Sequence, residues 1–235
     1  MTNWSYKVVV VMNGIVRPTF LNLPEDKQVR IIEAALAEFA DKGYQQASLN
    51  VIVAASGIAK GSLYQYFTDK SGIFLYVFDF AIAVVRRLLV QVKESTLQED
   101  FFTRLEKSLL AGLSFIRQYP KIYGLYLKIL FDQQVPQRQE LLQRVRRYAA
   151  DYFHSLLRQG LSRGELRPDL PVASAAFLLD AVLDRFLQAA SLPAFDVSLG
   201  LEQADAQTLQ LRIEEFMDLL RHGLGRLGPG PEENC

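Results

Sequence analysis

The chain has 235 residues, half of them hydrophobic, and its 26 basic side chains balance 26 acidic ones. That length suits one small domain plus a larger one, and a formal charge of zero excludes any global attraction to nucleic acid or an anionic membrane, so any binding to such a polyanion must come from a local patch. The single cysteine, Cys235, excludes an internal disulfide and a thiolate metal cluster and fits a reducing cytoplasm, while the two distant histidines, His154 and His222, leave little for a zinc site.

Residues 1–23 are expected to be an arm without helical period, in which Lys7 to Met12 forms a short strand or stays disordered, and Met12 is a second candidate start of translation. The apolar run Val8 to Met12 is too short for a membrane span and lacks a secretory cleavage site. No later stretch is uninterrupted enough to cross a bilayer, so the expectation is a cytoplasmic protein with no membrane partner. Helical signal begins at Pro24, which suits a first turn, with Glu25 and Asp26 at the positive end of the helix dipole. Val29, Ile32, Ala35, Leu36, Phe39 and Ala40 share one face, and Gly43 ends the helix.

Two short helices follow. Ser48 is placed to cap the first, which runs through Leu49, Ile52 and Val53 to Ala55. Ser56-Gly57-Ile58 breaks it, Gly57 supplying a positive φ and Ile58 plugging the angle between helices. The second spans Ala59 to about Phe67. Its first turn carries Lys60, Gly61 and Ser62, small or basic residues that let DNA approach, with Tyr64, Gln65 and Tyr66 one turn on. From Met1 to Lys70 seven basic residues (Lys7, Arg17, Lys27, Arg30, Lys42, Lys60, Lys70) face six acidic ones (Glu25, Asp26, Glu33, Glu38, Asp41, Asp69), a thin electrostatic footing for DNA.

Beyond Lys70 the helices lengthen: Ser71 to about Glu94, Gln98 to Gln118, Pro120 to Asp132, Pro136 to Arg163, Pro171 to Ser191 and Glu202 to Gly225, with Pro120, Pro136, Pro168, Pro171 and Pro193 marking breaks. The tail 228–235, GPGPEENC, is too rich in Gly and Pro to order itself. The fold class is all-α. An N-terminal three-helix unit, 24–75 with its motif at 48–67, precedes a larger helical domain, 76–227. No G-x-S-x-G, G-K-[ST] loop or metal-spaced histidine is present, so the reading is not an enzyme, with no cofactor, no metal and no catalytic residue.

IIEAALAEFADKGYQQAS, the turn SGI, AKGSLYQYF and the following DKSGIFLYVFD resemble the TetR family of bacterial transcriptional regulators. The resemblance covers roughly Pro24 to Asp79; downstream it is limited to helical content and length. It implies that Lys60, Gly61, Ser62, Tyr64, Gln65 and Tyr66 enter or flank the major groove, and that Ser48 and Lys70 meet phosphates. Chemically, Gln65, Ser62 or Lys60 suit base edges, whereas Tyr64, Tyr66 and Lys70 suit the backbone. Leu63 and Phe67 are expected in the core, and Tyr64 and Tyr66 have an aromatic packing role as their alternative. Family members often carry polar or charged residues where Val51, Ala54 and Ala55 stand, and Ser or Thr at Ala59. This bareness implies weaker or more dimer-dependent binding and a flatter salt dependence.

The resemblance further implies a homodimeric repressor on a palindromic, double-stranded operator, released by a small effector, with the helix from Ser71 as lever. The last two helices are the expected dimer surface: Ala173, Ala176, Phe177, Val182, Leu183, Phe186 and Leu187 on one, Leu209, Leu211, Ile213, Phe216, Leu219 and Leu220 on the other. Tyr119, Tyr123, Tyr126, Phe131, Tyr152, His154, Phe177 and Asp180 are candidate effector residues, and their aromatic, nearly uncharged character suits a hydrophobic molecule. Asp180 and Asp184, one turn apart, suit a cation, an amine or, preferably, a basic partner across a dimer interface. The rival to the whole reading is a helical adaptor that presents Val51, Ala54 and Ala55 to a protein and binds no operator.

Overall fold

The computed structural model of the chain describes residues 16–224, so the expectations for residues 1–15 and for the 228–235 tail lie outside it. Among the described residues ten α-helices follow one another: α1 (Pro18–Leu21), α2 (Glu25–Gln46), α3 (Leu49–Ser56), α4 (Lys60–Tyr66), α5 (Lys70–Ser95), α6 (Phe101–Gln118), α7 (Pro120–Phe131), α8 (Arg138–Ser162), α9 (Val172–Ala189) and α10 (Ala206–Leu224). No strand forms among the described residues; one isolated antiparallel bridge joins Val16 to Phe67. The chain is all-α, as its periodicity implies, and prolines punctuate it as expected. Pro120 opens α7, Pro171 sits at the N-cap of α9, and helical geometry in α2 breaks at Gly43 (φ 71°, ψ 175°).

Residues 16–23 correct the expected structureless arm. Pro18 starts a single helical turn that carries Phe20 into full burial, where its ring lies 4.9 Å from Phe67 and 5.2 Å from Tyr76. The Gln28 side-chain amide of α2 donates to Leu23 O (2.8 Å) and Leu21 O (3.2 Å), tying down the loop after α1. Burial of one phenyl ring outweighs the small helical propensity of four residues.

The chain divides into two compact units, and the division falls inside α5 and α8 instead of near residue 75. One unit is the described part of Met1–Arg87 together with Gln118–Val145; the other is Leu88–Arg117 with the described part of Arg146–Cys235. In the first, Ile31, Ile32, Ala35, Leu36 and Phe39 form the buried face of α2, and the first half of α5, Ile73 to Phe80, is buried all round. Phe74 meets Phe39 and Tyr44 edge-on at 5.1 and 5.3 Å. Helix α7 belongs to this unit because it packs along α2. Gly124 lies against Ala40, where an added Cβ would sit 3.6 Å away, and the Gln45 amide donates to Gln134 O at 3.2 Å. Asp79 is buried within α5 and accepts from Arg144 Nη2, whose guanidinium also lies 5.2 Å from the Phe78 ring.

The second unit closes around Phe101, Leu105 and Leu109 of α6, Leu156 and Leu157 of α8, Leu179, Leu183 and Phe186 of α9, and Ile213, Met217 and Leu220 of α10. Within it Arg104, 2% exposed, donates to Gln159 Oε1 (2.7 Å) and Thr96 Oγ1 (3.4 Å), and Ser108 shares a hydrogen bond with the Tyr152 hydroxyl.

Two stability outcomes follow from these contacts. Phe20→Ala is expected to lower unfolding free energy by about 3–5 kcal/mol, measured by urea titration; a loss near zero would return residues 16–23 to a dispensable arm. Arg144→Met removes the cation from a buried carboxylate and is expected to cost on the order of 3 kcal/mol at neutral pH. Burial already holds the Asp79 carboxyl above its ordinary range while Arg144 pulls it down. Without Arg144 its folded pKa rises further above the unfolded one, so the variant's deficit grows as pH climbs through that interval and shrinks in acid. Unfolding at pH 5 and pH 7.5 checks the sign.

Candidate nucleic-acid interface

Helices α3 and α4 meet at the expected turn. Gly57 adopts the left-handed conformation (φ 68°, ψ 30°), its N–H donates to Ala54 O, and the Ile58 N–H donates to Val53 O, both at 3.3 Å. This double closure satisfies the last carbonyls of α3 in a conformation that favours glycine. Ser48 occupies the N-cap position, but its hydroxyl makes no capping bond; its backbone N–H donates to Glu38 Oε1 at 2.8 Å. The carboxylate on α2 does the fixing, and the hydroxyl stays available.

Helix α4 has a buried back and an open front. Leu63, Tyr66 and Phe67 are 1%, 6% and 1% exposed, so the aromatic alternative holds for Tyr66: its ring sits 6.0 Å from Phe20, beneath Lys27. Positions 63, 66 and 67 are spaced i, i+3, i+4 and necessarily share a face. Lys60, Gly61, Tyr64 and Gln65 are exposed and Ser62 is half-buried. Nothing lies within 4 Å of where a Cβ on Gly61 would stand. A helical glycine costs about 0.5–1 kcal/mol relative to alanine, and nothing inside the fold requires this one.

The electrostatics differ from expectation at Lys70. Its ammonium donates to Gln45 O at 2.9 Å and lies 5.1 Å from the Tyr44 ring, and partial burial lowers its pKa. Lys70 clamps the end of α2 onto the start of α5. Arg30 pairs with Asp26 and Lys42 with Asp41. Val51, Ala54, Ala55 and Ala59 are all exposed, so the face of α3 is bare as well as charge-poor.

The candidate effector residues are divided between the two units. Tyr119, Tyr123, Tyr126 and Phe131 belong to the first, where the Tyr123 and Tyr126 rings are 5.7 Å apart, Tyr123 is buried and Phe131 is 52% exposed. Tyr152, His154, Phe177 and Asp180 belong to the second; Tyr152 is core, His154 is half-buried and Phe177 is 75% exposed. Asp180 and Asp184 have a partner within their own chain: Arg146 Nη1 lies 3.2 Å from Asp180 and Nη2 lies 2.6 Å from Asp184. A guanidinium on α8 spans both carboxylates because they lie one turn apart on α9. Burial raises the Asp180 pKa, with Arg146 opposing it.

Periodicity did not single out Arg17 or Thr19. The Arg17 N–H donates to Tyr66 O at 2.9 Å and the Thr19 hydroxyl donates to Gln65 O, so both sit on the last turn of α4. The one available signal was the pairing of Pro18, suited to a first helical turn, with Phe20.

Residues 31–77 match the family model of bacterial regulatory proteins of the tetR family, and residues 99–225 match that of the tetracyclin repressor-like C-terminal domain. A TetR family transcriptional regulator from Chloroflexus aurantiacus J-10-FL, solved as a crystal structure, is 34% identical, with 91% of this chain and 100% of that one covered and a TM-score of 0.66. A probable acrEF/envCD operon repressor of Escherichia coli is 31% identical over 44% of this chain and 46% of its own length. The fold is shared at 19% identity with the transcriptional regulator FadR from Bacillus subtilis, solved in complex with stearoyl-CoA (TM-score 0.64, covering 80% of this chain and 96% of that one). The chain belongs to the TetR family of transcriptional regulators.

Proposed function

We propose that the chain is a ligand-responsive repressor that binds a palindromic operator as a homodimer and is released by a small hydrophobic effector. The observation that carries this reading is the split face of α4, with Leu63, Tyr66 and Phe67 anchored behind and Lys60, Gly61, Tyr64 and Gln65 open in front. Gln65 and Lys60 have the donors and acceptor to address base edges, Gly61 lets the groove wall come close, and Tyr64 and Ser48 hydroxyls suit phosphates. Tyr66 and Lys70 act on DNA only through the fold they hold.

Two such helices must stand about 34 Å apart to meet successive major grooves. The last two helices supply a surface for that pairing. Ala176, Leu183, Phe186, Leu209, Ile213 and Leu220 are spent on the internal core, but Phe177 (75%), Leu178 (44%), Leu211 (51%) and Leu219 (71%) remain exposed on α9 and α10. Large exposed apolar side chains grouped on two helices suit a protein partner, here a second copy.

Stearoyl-CoA is bound by the Bacillus neighbour named above, which supports a long acyl chain as the first effector class to try here. An effector shifts the DNA-binding equilibrium only by its difference in affinity between the two states. Helix α5 begins at Lys70 within the DNA-facing unit and remains the proposed lever. Helix α7, packed along α2, is a second route to the same unit.

In a gel shift with DNA flanking its own gene, the full-length protein is expected to give a retarded band that long-chain acyl-CoA disperses. Gly61→Ala should leave stability unchanged or raise it by up to about 1 kcal/mol while weakening that band, and Gln65→Ala should relax preference at one base position by about 1–3 kcal/mol. Absence of any band would favour the adaptor reading and its Val51, Ala54, Ala55 surface. For the dimer, Phe177→Asp combined with Leu219→Asp is expected to halve the mass in light scattering with helicity retained; an unchanged dimer would move the interface elsewhere.

A further inference from the structure

We propose that Arg17 is a DNA-binding residue, gripping a backbone phosphate beside the base pairs that face Gln65; the proposal rests on the reading of α4 as the recognition helix. Its first support is position. Val16 bridges Phe67, the Arg17 N–H donates to Tyr66 O, the Thr19 hydroxyl donates to Gln65 O, and Phe20 is buried against Tyr66, Phe67 and Tyr76. The backbone on both sides of Arg17 is therefore fixed to the end of α4. Its side chain is exposed, and among the described residues the guanidinium makes no ion pair or hydrogen bond.

The second support is a charge account of the DNA-facing unit. Arg30 is held by Asp26, Lys42 by Asp41 and Lys70 by the Gln45 carbonyl, and Lys27 lies over the Tyr66 ring. Up to Lys70, that leaves Lys60 and Arg17 among the described residues as cations with no side-chain partner inside the fold. They flank α4: Lys60 opens it, Arg17 sits at its last turn, and seven residues make a helix about 10 Å long. A lone Lys60 would be a meagre counterweight for a polyanion.

The third support is the sign of the field at that end. The C-terminus of a helix carries partial negative charge, which repels phosphate. Here the Gln65 and Tyr66 carbonyls are already engaged by Thr19 and by the Arg17 backbone, and the guanidinium adds a full positive charge. A planar guanidinium also takes two phosphate oxygens at once, which a lysine does not.

The test uses full-length protein and a duplex it selects from a randomised library, with affinity measured across a salt series. Arg17→Ala and Arg17→Gln are expected to keep the wild-type melting temperature, since the Tyr66 bond is made by backbone, and to weaken binding to all selected sequences alike. The slope of log affinity against log salt should flatten by about one per protomer, and Arg17→Lys should restore most of it. An unchanged slope in both neutral variants overturns the proposal while leaving the function standing. A loss confined to one base position overturns it too, in favour of base reading. Failure of the wild-type protein to select any duplex removes the DNA reading and this residue's role with it.

Discussion

A seven-residue helix without a capping side chain cannot hold itself together in water, because helix nucleation is costly and isolated helices shorter than about 12–15 residues are marginal. Helix α4 is such a helix: Ala59 stands at its N-cap with no hydroxyl to offer. Its conformation is imposed from behind, by the burial of Leu63 and by Tyr66 and Phe67 packing against Phe20, with Phe67 also meeting Tyr76. The Tyr76 hydroxyl, pushed up to about 12 by burial, stays uncharged and compatible with that cluster throughout the physiological range. Because the back carries the burden of order, the front has no packing duty, and glycine at position 61 becomes tolerable.

Local features of this arrangement were legible in the sequence, and distant partnerships were not. The positive φ of Gly57, the buried Leu63 and Phe67 and the helix openings at Pro120 and Pro171 all follow from residue type and spacing. Tyr66 carried a readable signal as well. It shares the i, i+3, i+4 stripe of Leu63 and Phe67, and only its chemical likeness to Tyr64 suggests a common role. Residues 16–23 had no such signal, since one helical turn has no period and the value of Phe20 lies in rings reached across the unit. The same limit hid the carbonyl that holds Lys70, the carboxylate that replaces the Ser48 hydroxyl, and the arginine that joins Asp180 to Asp184. Spacing announced those groups; a single sequence has no way to announce their partners.

The charge economy of the DNA-facing unit is unusual for a protein that addresses a polyanion. Its cations are largely committed to the fold, and the solvent side of α3 is alanine and valine. On the proposed reading, recognition by such a surface would lean on fit, on hydrogen bonds from Gln65 and on pairing of two protomers more than on counterion release. Discrimination between sequences then suffers little from non-specific attraction, since the electrostatic part that every duplex shares is small.

Helix α7 lies far downstream of α2 in the chain yet packs along it, with Gly124 against Ala40 and Gln45 reaching the Gln134 carbonyl. The DNA-facing unit is thus discontinuous, assembled from two stretches with α6 inserted between them. It is not a cassette that recombination can lift out at the end of the sequence motif. A graft that carried only the helix-turn-helix would leave one flank of α2 bare, and would have to import a helix shaped to cover it. With α4 as the proposed reading helix, any exchange of specificity within this architecture is accordingly easier by point substitution on its front than by shuffling whole segments.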